Sequence, residues 1–264
     1  MQSPKVSVII PVYNAESSLR LCLESLEASK YQNLEILIGD DGSTDSTRQI
    51  LEESCKPPRY QVFHFPHSGA AAIRNQLIQK SSGEFLVFQD ADDLSDPQRI
   101  SEQVDFLLKN SEIQAVGTWA KLLDLQGREW GTLSVNPRPT SWDWWLQISF
   151  VHATLTIRKS AISSMAYHEG LEYGEDYYFL TSLWKSGVQF ANLPKPLYSY
   201  RIQPEDLRTR SFRSFTKILK SKWEISKLFP GRTRPLFFVL NLTVLFLSSF
   251  RSILKIILIK LKGP

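Results

Sequence analysis

Three short acidic stretches bring together side chains able to act jointly. "QDADDLSDP" (Gln89–Pro97) sets Asp90, Asp92, Asp93 and Asp96 within seven positions, with no Lys or Arg among them. "GDDGSTD" (Gly39–Asp45) holds Asp40, Asp41 and Asp45, and "YGEDYYFL" (Tyr173–Leu180) holds Glu175 and Asp176. Carboxylates this close repel one another, and burying them unpaired is unfavourable. A hard divalent cation, Mg2+ or Mn2+, relieves that repulsion. Mg2+ sites use one or two carboxylates and leave positions for water and substrate phosphates. In extended chain, residues two apart point the same way. On that pattern Asp90 and Asp92 face a site together and Asp93 faces elsewhere. Asp96, before Pro97, reads as a cap of the next helix, with Asp93 in the supporting turn. Glu175 and Asp176 open a helix, where neighbours diverge by roughly 100°, so only one of them aims easily into a site. Such a pair alone more often caps than reacts.

These acids need elements to aim them. "KVSVIIPVY" (Lys5–Tyr13), "LEILIGD" (Leu34–Asp40), "YQVFHF" (Tyr60–Phe65) and "GEFLVF" (Gly83–Phe88) read as strands. Between them lie three helical stretches. The first has Leu19, Cys22, Leu23 and Leu26 on one face; the second opens with Ser43 and Thr44 as cap candidates; the third is "GAAAIRNQLIQKS". The order β-α-β-α-β-α-β predicts a parallel, doubly wound sheet of Rossmann type. Ligands of such sheets bind at the carboxyl ends of the strands. "GDDGSTD" ends the second strand and "QDADD" the fourth. In a 3-2-1-4 strand order they flank the first strand, where "PVYNAE" also ends, so three loops converge on one crevice. Beyond Asp96 the pattern loosens. "DPQRISEQVDFLLKN" reads as helix, "IQAVGTWAKLLD" as strand, "PRPTSWDWWLQISF" as loop then helix and "VHATLTIRK" as strand. "GEDYYFLTSLWKSG" is a helix ended by Gly187, "VQFANLPKPLYSYRI" holds two short strands, and Leu207 to Phe229 is a basic helical stretch.

The chain has 264 residues, 42% of them hydrophobic, enough for a full core. An aromatic share of 12% excludes a disordered chain. Its two cysteines, Cys22 and Cys55, form no CxxC and no disulfide framework, and read as free thiols of a reducing compartment. "MQSPKVSVII" lacks the basic start and long apolar stretch of a signal peptide, so a cytoplasmic start is expected. Charge is uneven. Residues 201–264 carry 14 Lys/Arg against three acids, and residues 1–200 carry 17 against 24. Such a basic tail seeks anionic lipid or nucleic acid. Leu236–Phe250 runs 15 residues without a charge, where a bilayer span takes about 20. "RSILKIILIKLKGP" follows, with Arg251, Lys255 and Lys262 on one helical face. This pattern predicts peripheral attachment to the inner face of the cell membrane, as a surface helix or a hairpin dipping into one leaflet, with a tilted, marginal span as the alternative. A core helix or a subunit contact is the competing reading of the apolar run.

In order, "VSVIIPVYNAE", "LEILIGDDGSTDST", "HSGAAAIRN", "GEFLVFQDADD", "GEDYYF" and "PLYSYR" resemble a family 2 glycosyltransferase over about residues 4–201. The resemblance implies an α/β, GT-A type Rossmann-like mixed sheet flanked by helices. The basic helical and apolar C-terminal tail lies outside the family pattern. Three parts are expected: residues 1–205 as the glycosyltransferase domain, 206–234 as a basic helical extension and 235–264 as a membrane-associating segment. The implied chemistry is inverting transfer from a nucleotide diphosphate sugar, a UDP-sugar first, to a hydroxyl of a glycan or lipid-linked acceptor, with Mg2+ or Mn2+. Pro11, Tyr13 and Glu16 are implied in the nucleotide pocket wall, Asp41 at the nucleobase, and Arg74 and Asn75 near the donor. Asp90 is implied at the sugar or ribose, Asp92 at the metal, Asp176 as the base, and Arg201 near the diphosphate. One departure stands at Gln203, near where many relatives carry a histidine that assists the metal or diphosphate. The absence of QxxRW argues for adding one sugar or few. Trp142, Trp144, Trp145 and His152 are acceptor-contact candidates, against core packing for the tryptophans and a satisfied structural role for the histidine.

Two other classes compete. A nucleotidyltransferase would carry a Gly-rich, basic phosphate loop where this chain has "PVYNAESS". A non-catalytic, membrane-bound nucleotide-sugar-binding protein would not need Asp41, Asp90, Asp92 and Asp176 all intact. Nucleic acid is not an expected partner, because its binding would need basic residues in an aromatic-bearing groove and this tail is aliphatic.

Overall fold

Strand β1 (Val6–Val12) is apolar and almost wholly buried, and the sheet grows outward from it. The structure is a computed structural model that describes residues 3–146, 149–162, 165–203, 215–229, 231, 233–236, 238 and 239. Strands β2 (Leu34–Asp40) and β4 (Phe85–Phe88) flank β1 in parallel, and β3 (Tyr60–His64) lies outside β2. The expected order 3-2-1-4 is therefore present. Helix α1 (Leu19–Glu27) follows β1, α2 (Thr47–Ser54) follows β2 and α3 (Ala70–Lys80) follows β3. Side chains alternate across the sheet, as strand geometry requires. Val8, Ile10, Ile36, Ile38 and Val87 pack with α1 and α2, whereas Ile9, Leu37, Leu86 and Phe88 pack with α3. At Gly39 the approach of α3 is close enough that a Cβ would overlap Ile73 Cγ2.

The second half makes the sheet mixed rather than purely parallel. Strand β5 (Leu94–Ser95) and helix α4 (Arg99–Lys109) lead to β6 (Ala115–Leu123), β7 (Glu129–Leu133) and helix α5 (Ser141–Leu146). Strand β8 (Thr156–Arg158) lies antiparallel between β4 and β6. The "VHATLTIRK" stretch thus yields only a short strand, preceded by a single 3-10 turn at His152–Thr154. After helix α6 (Glu175–Lys185), β9 (Phe190–Arg201) is one continuous strand instead of the expected two. Its Pro-containing middle appears as register shifts opposite Thr118–Ala120 of β6.

Two features of this topology aim the acids. In register, β4 stops at Phe88 beside Ile9, while β1 and β2 run on to Val12 and Asp40. The Gln89–Asp93 turn occupies that step. Next, β5 pairs antiparallel with β9, Leu94 with Ser199 and Ser95 with Tyr198, which returns the end of β9 to the turn. Helix α7 (Phe215–Ser226) then packs on α6, burying Ile218 and Ile225. Gly174, with φ 74°, precedes α6 so close to α7 that a Cβ there would sit 2.9 Å from Ser221 Oγ. Of the expected extensions, residues 206–214 and 240–264 lie outside the described residues. Among the described residues no helix is long and apolar enough to cross a membrane.

Glu35 of β2 anchors the opposite edge of the sheet. It accepts from Ser7 Oγ at 2.5 Å, Ser82 N at 2.6 Å and Ser82 Oγ at 2.8 Å, and pairs with Lys5 at 2.7 Å. Burial alone would raise its pKa, but these donors outweigh burial and hold it down at about 2. A depressed carboxylate stabilises the fold above its unfolded pKa, and that stability is lost as pH falls toward 2. Glu35→Gln is therefore expected to lower stability at pH 7 by about 2 kcal/mol, with the deficit shrinking between pH 4 and pH 2. Urea denaturation across that range checks it, and a deficit independent of pH would refute the linkage.

Candidate active site

The acidic run is a turn, not extended chain: Asp93 N–H donates to the Asp90 carbonyl at 3.2 Å. Asp90 and Asp92 both border a cavity of about 620 Å³ at the carboxyl edge of the sheet, as alternation predicted, though by a different geometry. Pro11, Tyr13, Arg74 and Arg201 line it as well. Asp93 lies in the turn and faces away from the cavity, as expected, and it has distant partners. It is buried and caps nothing; its carboxylate accepts from the Tyr198 hydroxyl and from the Arg201 backbone N–H, each at 2.9 Å. Burial and the charges of Asp92 and Asp90 push its pKa well up. Asp96 is not the helix cap that its place before Pro97 predicts: it accepts from Gln98 N–H at 2.9 Å in the turn entering α4, whose N-cap position falls at Gln98.

A second cavity, about 580 Å³, meets the first at Arg74 and Asp90. His152, Glu175, Asp176 and Tyr200 are among its walls. Arg74 is buried at the junction, 3.0 Å from Asp90 Oδ1 and 3.3 Å from Glu175 Oε1. Burial works against its charge, but Asp90, Glu175 and Asp176 outweigh burial and push its pKa up. Its guanidinium lies 5.5 Å from the centroid of the Tyr167 ring. The next residue, Asn75, pins Tyr167 by two backbone bonds, donating to its carbonyl at 3.0 Å and accepting its N–H at 2.8 Å. So α3 supplies both the cation and the brace of the ring beneath it.

Asp176 is the second residue of α6. Burial pushes its pKa up and Glu175 adds to this, against opposing effects of His152, the Tyr177 N–H and Arg74. A carboxylate tuned upward in a cavity wall is suited to accepting a proton. His152 is satisfied and also exposed to the cavity: Nε2 lies 2.7 Å from the Tyr167 hydroxyl. Burial and then Arg74 lower its pKa to about 4, so the imidazole is neutral at pH 7.

Several candidates stand behind the walls. Glu16 accepts from Ser46 N–H at 3.0 Å, tying the end of β1 to the start of α2. It is exposed and is not part of the cavity lining. Asp41 is buried, accepting from Ser68 N–H at 2.6 Å and Gly69 N–H at 2.9 Å, and it shapes the loop that enters α3. Beside it the Tyr13 ring meets the His67 ring at a tilt of 30°, centroids 4.4 Å apart. Ser43 and Thr44 do not cap α2, which begins at Thr47. Instead Asn14 donates its N–H to Ser43 Oγ at 3.0 Å and accepts Thr44 N–H at 2.9 Å. Trp144 is core, 5.5 Å from Trp184 and stacked on it, whereas Trp142 is exposed. The side chain of Trp145 lies outside the described residues. Asn75 and Asp93 are the supporting residues whose roles the residue patterns did not give.

Among the described residues no three His, Cys, Asp or Glu side chains form a protein-only metal cage. Asp90 is already paired with Arg74. Asp92 is exposed at the edge of the first cavity, and a carboxylate there can serve a hard cation whose remaining ligands come from water and phosphate.

A family model described as Glycosyl transferase family 2 matches residues 7–162. EpsE of Bacillus subtilis (strain 168) is 30% identical over 218 residues, covering 79% of this chain and 77% of that protein. An uncharacterized glycosyltransferase of Haemophilus influenzae is 36% identical over 131 residues, 49% of this chain and 52% of its own. Two solved structures have the same fold. S. aureus TarS 1-349 in complex with UDP-GlcNAc gives a TM-score of 0.67 at 18% identity, covering 94% of this chain and 92% of that one. The mannosyltransferase PcManGT from Pyrobaculum calidifontis, in complex with GDP-Man and Mn2+, gives 0.67 at 16% identity, covering 95% and 70%.

Removing the bridging cation tests the junction. Arg74→Met leaves Asp90 and Glu175 facing each other unpaired, and is expected to lower stability by about 3–5 kcal/mol at pH 7. Calorimetric unfolding at pH 7 reads this, and an unfolding temperature equal to wild type would contradict it.

Proposed function

The chain belongs to glycosyl transferase family 2, and from that premise we propose an inverting transfer from a nucleotide diphosphate sugar to a hydroxyl of a glycan or lipid-linked acceptor. The observation that carries this is the pair of cavities meeting at Arg74 and Asp90, with Asp176 in the wall of the second. The donor occupies the first cavity. Its base lies along Pro11 and Tyr13, over the loop that Asp41 shapes, and its diphosphate lies between Asp92 and Arg201. Its anomeric carbon comes to the junction, where Asp90, held by Arg74, orients the sugar.

The acceptor hydroxyl enters from the second cavity. Its oxygen bonds to the anomeric carbon while the bond to the diphosphate breaks, and the diphosphate leaves with the electron pair. Asp176 accepts the hydroxyl proton. The sugar passes through an oxocarbenium-like transition state, and approach opposite to departure inverts the anomeric centre. Arg201 is placed to stabilise the charge that develops on the leaving group. A divalent cation on Asp92, Mg2+ or Mn2+, would supply further neutralisation of that charge. His152, neutral at pH 7, offers the acceptor a hydrogen-bonding edge without competing for the proton.

Membrane attachment belongs to the same reading. Helix α7 exposes Trp223, Lys217 and Lys220, and the chain beyond it is apolar and basic. That chemistry suits an anionic lipid surface on the cytoplasmic side and brings a lipid-linked acceptor to the second cavity.

Asp176→Asn is expected to cut transfer by roughly 10²–10⁴-fold with binding of UDP or GDP plus Mn2+ essentially unchanged. Turnover near wild type would remove Asp176 from the reaction. The full chain should sediment with vesicles containing phosphatidylglycerol, and a chain ending at Phe229 should stay in the supernatant. If the full chain also stays in solution, the lipid reading fails.

A further inference from the structure

Beneath the acidic turn runs a buried polar chain that touches neither substrate cavity directly. The Tyr198 hydroxyl donates to Asp93 Oδ2 at 2.9 Å and accepts the backbone N–H of Asp90 at 3.3 Å. Asp93 Oδ1 accepts the backbone N–H of Arg201 at 2.9 Å. On the other side of Tyr198, the fully buried Arg99 guanidinium lies 4.7 Å from the ring centroid. Arg99 donates to Gln89 Oε1 at 3.0 Å and to the Phe88 carbonyl at 2.9 Å, the last residues before the turn. Gln89 in turn donates to the carbonyls of Asp90 and Asp93, each at 3.0 Å.

These bonds join two things that sequence separates by more than a hundred residues: the turn that carries Asp90 and Asp92, and the end of β9 that carries Arg201. The strand pair between them, β5 with β9, is two residues long, too short to fix their spacing alone. Given the donor cavity proposed above, we propose that Asp93 and Tyr198, backed by Arg99, are positioning residues that hold Arg201 and the Asp90–Asp92 turn as one clamp on the donor diphosphate. Asp93 sets the backbone position of Arg201, and Tyr198 ties that position to Asp90. The aromatic face and neutral acceptors around Arg99 let a buried cation brace the joint.

A double-mutant cycle distinguishes positioning from simple stability. Tyr198→Phe keeps the ring over Arg99 and removes only the hydroxyl; Arg201→Ala removes the guanidinium. Binding of UDP with Mn2+ is measured by calorimetry for the wild type, both single variants and the double. Each single is expected to weaken binding about tenfold, and the double to stay well short of the roughly hundredfold loss that independent sites would give. Additive losses, or wild-type affinity in Tyr198→Phe, overturn the clamp. Asp93→Asn, nearly the same shape, runs the same cycle if Tyr198→Phe does not fold. A wild type that binds neither UDP nor GDP with Mn2+ would instead overturn the donor reading on which the clamp rests.

Discussion

The buried guanidinium of Arg74 spans Asp90 after β4 and Glu175 at the start of α6. A cation at this depth is tolerated only when it is paired and hydrogen-bonded on every side available. Its partners come from two parts of the chain with different histories in the fold: the early parallel half and the later helical half. The pairing therefore sets where one cavity ends and the other begins. Asn75, one residue on, fixes the ring on which the guanidinium rests. Displacing α3 along its axis would disturb both contacts at once, which ties the site to the packing of Ile73 against Gly39.

The same cation sorts the protons around it. It adds to burial in keeping His152 neutral, and it tempers the rise that burial and Glu175 impose on Asp176. Two groups in the wall of one cavity are thus pushed in opposite directions, His152 down and Asp176 up. One is an uncharged hydrogen-bonding edge and the other a carboxylate of raised basicity.

Much of this architecture is legible in the residues. Runs of Val, Ile and Leu bounded by Pro, Gly or Asp mark the four parallel strands, and strand ends locate the loops that carry Asp41, Asp90 and Asp92. Legibility fails where a residue answers to something distant. Asp93 looks like a turn or cap residue because its partners, Tyr198 and the Arg201 amide, lie more than a hundred positions away. Ser43 and Thr44 precede a helix and look like its caps, yet Asn14 of another loop engages them first. The prolines of β9 suggest a break, but neighbouring β6 absorbs them as register shifts and the strand continues. Asp41 and Glu16 lie on the right loops, but backbone N–H groups occupy their carboxylates. Local pattern identifies which loop matters; long-range pairing decides which atom of it faces the ligand.

The contact between Gly174 and Ser221 bears on how this chain could be re-engineered. A C-terminal extension is usually thought interchangeable, a module to be cut off or swapped for another. Here the helix that leads toward the C-terminal segment rests against the residue immediately before Glu175 and Asp176, with no room for a methyl group between them. A chimera that kept residues 1–203 and borrowed another protein's tail would have to import a helix with an equally small surface at that point. Otherwise the graft would shift the first turn of α6, and with it Glu175 and Asp176 in the wall of the second cavity.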